Sequence, residues 1–98
     1  MTDFLLYNDL LDIYSSLLTK KNLHIMELYY KENFSMQEIA NILGVSRSYV
    51  GLSIKKSEQK LHELEKSLKI YEKNNKIRKI LELKDLKSIK KELNKLII

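Results

Sequence analysis

Cysteine and proline are both absent from this chain of 98 residues, and glycine occurs only at Gly44 and Gly51. Without cysteine there is no disulfide, no thiol nucleophile and no thiolate-bound metal. Sheets and barrels turn tightly and often, so a shortage of proline and glycine predicts helices joined by short loops. No apolar run approaches the ~20 residues that a bilayer-spanning helix requires, so no membrane insertion is expected. The opening MTDFLLYNDLLDIY carries Asp3 and no basic residue ahead of its apolar stretch. That is not the pattern of a secretory signal, and a cytoplasmic location is expected. His24 and His62 lie far apart in sequence, without metal-ligand spacing. No nucleophile–base pair, glycine-rich phosphate loop or paired carboxylates stand out. The expectation is a protein without cofactor, metal or catalytic activity.

Charged residues make up 32% of the chain and apolar ones 44%, the balance of a globular protein. The net charge of +5 is unevenly spread. Residues 1–54 hold four bases against six acids, and residues 55–98 hold fourteen bases against seven acids. A polyanionic partner would be drawn mainly to the second half. Sixteen of the eighteen bases are lysine, a bias that an AT-rich coding sequence also produces without selection for binding.

Apolar spacing divides the chain into helices. Tyr7, Leu10, Leu11, Tyr14, Leu17 and Leu18 form one buried stripe. Thr19 offers an N-cap to a second helix over roughly 20–31, with Leu23, Met26 and Tyr30 on one face. Ser35-Met36-Gln37-Glu38 is a capping box, followed by a helix burying Met36, Ile39, Ala40 and Leu43. Gly44 stops that helix, and Ser46 caps another that begins at Arg47. Ile54, Ser57, Leu61, Leu64, Leu68 and Tyr71 then repeat at alternating spacings of three and four. This predicts a helix running to about Asn74-Asn75, ~40 Å long, with a coiled-coil seam. Leu86, Ile89, Leu93 and Leu96 repeat the spacing in the tail, which either folds back or pairs with a second copy.

Residues 36–55, MQEIANILGVSRSYVGLSIK, match a helix-turn-helix. Ala40 permits close helix approach, Gly44 sits in the turn, and Ile39, Leu43, Val45, Val50 and Ile54 fill the core. The larger frame resembles region 4 of bacterial sigma factors. It is more closely similar to the YlxM-type family, through Asp12-Ile13-Tyr14, Leu17-Leu18-Thr19 and Glu27-Leu28-Tyr29-Tyr30. The likeness continues in Phe34-Ser35, Glu38-Ile39-Ala40, Val45-Ser46-Arg47, Val50 and Ile54-Lys55-Lys56, and covers roughly residues 4–72. The tail beyond residue 73 looks shorter and more basic than is usual for that family. The resemblance implies a bacterial protein whose gene lies beside those of the signal recognition particle. By implication it acts as a regulator or accessory of that pathway, its partners being the particle's GTPase, the receptor or the particle's RNA.

The expected fold is therefore all-α: a sigma-region-4-like helix-turn-helix bundle over residues 1–60, with a long C-terminal helical arm and basic tail over 61–98. Candidate nucleic-acid contacts are Ser46, Arg47, Ser48, Tyr49, Lys55 and Lys56. Of the outward positions at the start of that helix, only Arg47 presents the forked donor that pairs well with guanine, and Gly51 and Leu52 add none. The alternative to protein or RNA contact is a helix-turn-helix transcriptional regulator that binds duplex DNA through the motif. Candidate self-association residues are Leu61, Leu64, Leu68, Tyr71, Leu86, Ile89 and Leu93, implying a homodimer. Tyr29-Tyr30 is expected to split, one ring in the core and one at its rim.

Overall fold

The computed structural model describes residues 4–83 and 86–97, and within them the chain is a series of helices joined by short turns. Helix α1 spans Phe4–Tyr14 and is followed by a 3-10 turn, Ser15–Leu17. Helix α2, Lys20–Met26, runs directly into a π-helical turn, Glu27–Lys31. Then come α3 (Met36–Leu43), α4 (Arg47–Leu68), α5 (Ile70–Leu81) and α6 (Leu86–Leu96). The all-α fold class is borne out.

Each early boundary has a local cause. The Thr19 hydroxyl accepts from the Asn22 amide at 3.2 Å and starts α2. Asn33, at φ 60°, turns the chain after the π-helical turn, a conformation asparagine tolerates better than most residues. The Ser35 hydroxyl accepts from the Glu38 amide at 3.1 Å, while the Ser35 amide donates back to the Glu38 carboxylate at 2.8 Å. Those two bonds form the reciprocal box expected from the sequence.

The core gathers Leu10, Leu11 and Tyr14 from α1, Ile25 and Met26 from α2, and Ile39 and Ala40 from α3 around Val50, Ile54 and Leu61 of α4. Leu17, expected on the buried stripe, is 52% exposed. Helix α1 ends at Tyr14, and the tighter 3-10 turn rotates Leu17 off the α-helical face. Tyr30 is buried and Tyr29 half-buried, which is the division expected of that pair. Their rings meet edge-on at 4.9 Å, with Phe4 4.7 Å from Tyr30 and Tyr7 5.4 Å from it.

A row of polar residues on α4 fastens α1 and the π-helical turn to it. Glu58, His62 and Glu65 lie one and two turns apart on one face, and each takes a tyrosine hydroxyl. Tyr30 donates to Glu58, Tyr7 pairs with His62 Nε2 at 2.6 Å, and Tyr14 donates to Glu65 at 2.7 Å. Burial raises the pKa of both Tyr14 and Tyr30, and the neighbouring carboxylates add to the effect.

The long helix departs from the sequence expectation. It ends at Leu68 rather than near Asn74-Asn75, and Lys69 stands at φ 53° and ψ 32°, the left-handed region. The first three amides of α5 have no partner within that helix, as at any helix start. All three are met from outside it. Ile70 donates to the Tyr14 hydroxyl at 3.3 Å, and Tyr71 and Glu72 donate to the two oxygens of Glu65 at 3.1 Å each. Apolar spacing carries no record of such a cap, because its acceptors are polar groups, Glu65 in the preceding helix and Tyr14 in α1.

The break redirects the arm. Helix α5 turns back onto α1 and α4, and α6 packs on α5. Leu61 is wholly buried in its own chain, and Leu64 and Tyr71 are half-buried against the same core, so this part of the expected self-association seam is spent internally. Leu68, Leu86 and Leu93 remain exposed, and Ile89 is half-buried. The core also runs on past residue 60, within α4. The molecule measures 57 × 23 × 22 Å with a radius of gyration of 17.3 Å. A compact domain of this length would have about 13 Å.

Candidate nucleic-acid interface

Helices α3 and α4 meet at the turn Gly44–Ser46. Gly44 adopts φ 68°, which closes α3, and the Val45 amide donates to the Ala40 carbonyl at 3.1 Å. Ala40, 2% exposed, lets the two helices approach. The Ser46 hydroxyl accepts from the Tyr49 amide at 3.0 Å, starting α4. Val50, Ile54, Ser57 and Leu61 then face inward. At ~100° per residue, Ser48, Leu52, Lys55 and Gln59 form the outermost ridge.

The six candidates are not equivalent. Arg47 and Ser48 are exposed at the N-terminal end of α4, and no ion pair engages Arg47 among the described residues. Ser46 is exposed, though its oxygen is occupied by the cap. Tyr49 is half-buried against the core, with Lys21 Nζ 4.8 Å from its ring centroid. It is held as part of the α2–α4 joint and does not stand out as a free reading side chain. Lys55 and Lys56 are exposed on the next turn. Lys56 borders a small cleft of about 190 Å³ with Asn22, Tyr49, Leu52 and Ser53. In its wall the Ser53 hydroxyl donates to the Asn22 side-chain oxygen at 2.8 Å.

The structure thus adds Lys21 and Asn22 to the surface beside Tyr49 and Lys56. Twenty-eight residues separate Lys21 from Tyr49. Only tertiary contact brings them together, and no linear spacing signals it. Two acids of the N-terminal half, Asp9 and Asp12, sit elsewhere. Helix α1 meets α4 at His62 and Glu65, ~20 Å along the helix from Arg47, so Asp9 and Asp12 lie beside the distal half. Asp12 pairs there with Lys31 at 2.7 Å, an exposed bridge worth ~1 kcal/mol or less. Asp9 and Asp12 therefore add little negative charge at the start of α4.

Among the described residues, no group of histidine and carboxylate side chains is placed to hold a metal ion. None of their helices is long and apolar enough to cross a membrane.

Two helices ahead of a capped helix–turn–helix, with the second helix of the motif exposed at its start, define a helix-turn-helix protein. The chain belongs to the UPF0122 family of YlxM / p13-like helix-turn-helix proteins, matching its sequence profile over residues 1–97. The resemblance carried by Asp12-Ile13-Tyr14 and the motif is borne out. The chain is 41% identical over 75 residues to a UPF0122 protein of Oceanobacillus iheyensis, covering 76% of this chain and 71% of that protein. It is 42% identical over 64 residues to a UPF0122 protein of Streptococcus gordonii, covering 65% of this chain and 58% of the relative. A Streptococcus pneumoniae UPF0122 protein matches to the same extent, so the chain spans less than two thirds of these streptococcal relatives.

Proposed function

We propose that this chain is a non-enzymatic regulator or accessory of the bacterial signal recognition particle pathway, acting through contacts with protein, RNA or both. The observation that carries the reading is the composition of the exposed ridge of α4. At its N-terminal end, the part of such a helix that meets base edges, Gly51 and Leu52 carry no hydrogen-bonding group, Tyr49 is held in the α2–α4 joint, and Arg47 is the one forked donor at the rim. Lys21, Lys55 and Lys56 around it suit a phosphate backbone, which carries affinity without sequence. Exposed Leu52 suits a protein or a folded RNA surface better than a major groove lined with hydrogen-bonding edges. The pathway itself is what the resemblance to the YlxM-type family implies.

The test is co-purification of the protein at native level from its own cells, with and without RNase and DNase. Recovery of the particle's GTPase or RNA supports the reading, and RNase sensitivity tells which of the two is touched. Recovery of discrete DNA fragments alone would sink it.

Duplex DNA is the second reading, favoured by Arg47 standing unpaired at the N-terminal end of α4. It requires that Arg47→Ala abolish binding to specific fragments in low salt. Lys56→Ala should instead weaken all fragments alike and reduce the salt slope by about 1.

A further inference from the structure

Helices α5 and α6 form a hairpin whose apolar residues are only partly used. Ile80 is buried, and the cleft between the two helices is lined by Lys76, Lys79 and Lys95 together with Ile80, Leu83 and Leu96. A second set of aliphatic residues faces away from that contact. Leu81 is 74% exposed, Leu86 65% and Ile97 77%, with Ile77 and Leu93 at 40% each. On each helix this stripe lies about a third of a turn from the line of contact, in the same rotational sense. Both helices line the cleft along their length and only the short 82–85 connection joins them, so they run antiparallel. Equal rotations on antiparallel helices bring both stripes to one side of the hairpin.

The rest of the hairpin surface is basic. Helix α5 carries four bases against one acid, and α6 likewise, so lysines border the stripes along both helices. We propose that this face docks on a membrane surface rich in anionic phospholipid, the two helices lying in the headgroup plane. An amphipathic helix with a lysine-rich polar face and an aliphatic opposite face is suited to that position. The two features together select the occupant. RNA would satisfy the lysines and leave five exposed aliphatic side chains in water. A second copy would cover the aliphatics while bringing two basic surfaces together, which opposes association. Anionic lipid satisfies both. The cleft, about 590 Å³, holds three ammonium groups and the Glu92 carboxylate beside aliphatic walls, Lys76 pairing with Glu72 at 3.5 Å and Lys95 with Glu92 at 3.2 Å. Such docking is peripheral, without a spanning segment, and holds whichever partner the helix-turn-helix takes.

The experiment is co-sedimentation of the full chain with vesicles of phosphatidylcholine alone and with vesicles in which about a third of the lipid is phosphatidylglycerol. Binding is expected to be at least about tenfold tighter to the anionic vesicles and to weaken with added salt. The double variant Leu86→Gln/Leu93→Gln keeps every charge and alters two exposed positions, so its helix content by circular dichroism should be unchanged. It should lose most of the binding, while Arg47→Ala retains it. Failure to pellet with either vesicle, or pelleting that survives Leu86→Gln/Leu93→Gln, overturns the proposal. Sedimentation velocity of the same two proteins then tells whether a second copy occupies the face instead.

Discussion

At Gly44 the backbone sits at φ 68°, where any side chain crowds the following carbonyl. Gly44→Ala is expected to destabilise the protein by about 1 kcal/mol or more, although open space surrounds the position. Gly51 is the opposite case. It lies inside α4 with an ordinary helical backbone, and an added Cβ would meet Met36 Sδ at 3.8 Å, a normal contact. Gly51→Ala is expected to stabilise by roughly 0.5–1 kcal/mol. Thermal unfolding of the two variants should therefore shift in opposite directions. Ser57 is 1% exposed, and its hydroxyl has no hydrogen-bond partner among the described residues. Ser57→Ala removes an unpaired buried polar group at small change in volume, and a gain of about 1 kcal/mol in denaturant unfolding is expected. At Glu38 the Ser35 amide, and then the Ser35 hydroxyl, hold the carboxyl below its usual range. A lowered pKa in the folded state contributes stability above the ordinary carboxylate range that is lost as pH falls through the folded value. Carboxyl resonances followed by NMR should show Glu38 titrating below the ordinary glutamate range, and Ser35→Ala, which keeps the backbone amide, should narrow that difference without erasing it.

The joint between α4 and α5 is decided at the level of elements. One carboxylate, Glu65, takes two amides of α5 and the Tyr14 hydroxyl, so a single side chain ends one helix, starts the next and ties both to α1. Two substitutions test the break. Lys69→Gly would cost about 1 kcal/mol in the interior of a continuous helix, and is expected instead to stabilise, because Lys69 occupies the left-handed region. The sign alone distinguishes a broken α4 from an unbroken one. Tyr14→Phe removes the hydroxyl that serves both Glu65 and Ile70, and a loss of about 1–3 kcal/mol is expected. Hydrogen exchange should rise first at residues 70–72 in that variant, while α3 and the first turns of α4 keep their protection.

Over the whole molecule, charge and shape follow one another. The helix-turn-helix forms one end of a long body, and the basic α5–α6 hairpin extends from the distal side of α4. Dilute protein should scatter with a radius of gyration near the 17.3 Å of the Cα atoms, somewhat larger once side chains and hydration count. A value near the compact-domain figure of about 13 Å would mean that the hairpin collapses onto the helix-turn-helix. The acids of α1 lie along the far half of α4, so the electrostatic field at Arg47 differs from what the charge count of residues 1–54 suggests.

Much of the N-terminal half was legible in the residues. Capping side chains at Thr19, Ser35 and Ser46 and the left-handed stop at Gly44 act within a few positions of themselves, and local signals of that kind survive in a linear pattern. The same holds for the helix-turn-helix and its core residues Ile39, Ala40, Val50 and Ile54, whose spacing follows the helical repeat. Tertiary structure decided the rest. Apolar spacing continues unbroken through Lys69, yet α4 ends there, because three amides of α5 find acceptors on Glu65 and Tyr14, the latter more than fifty residues away. For the same reason the expected seam divides, with Leu61 drawn into its own core and the aliphatics of α5 and α6 left outside. The setting of the motif was decided the same way, since Lys21 reaches Tyr49 only once the helices have packed.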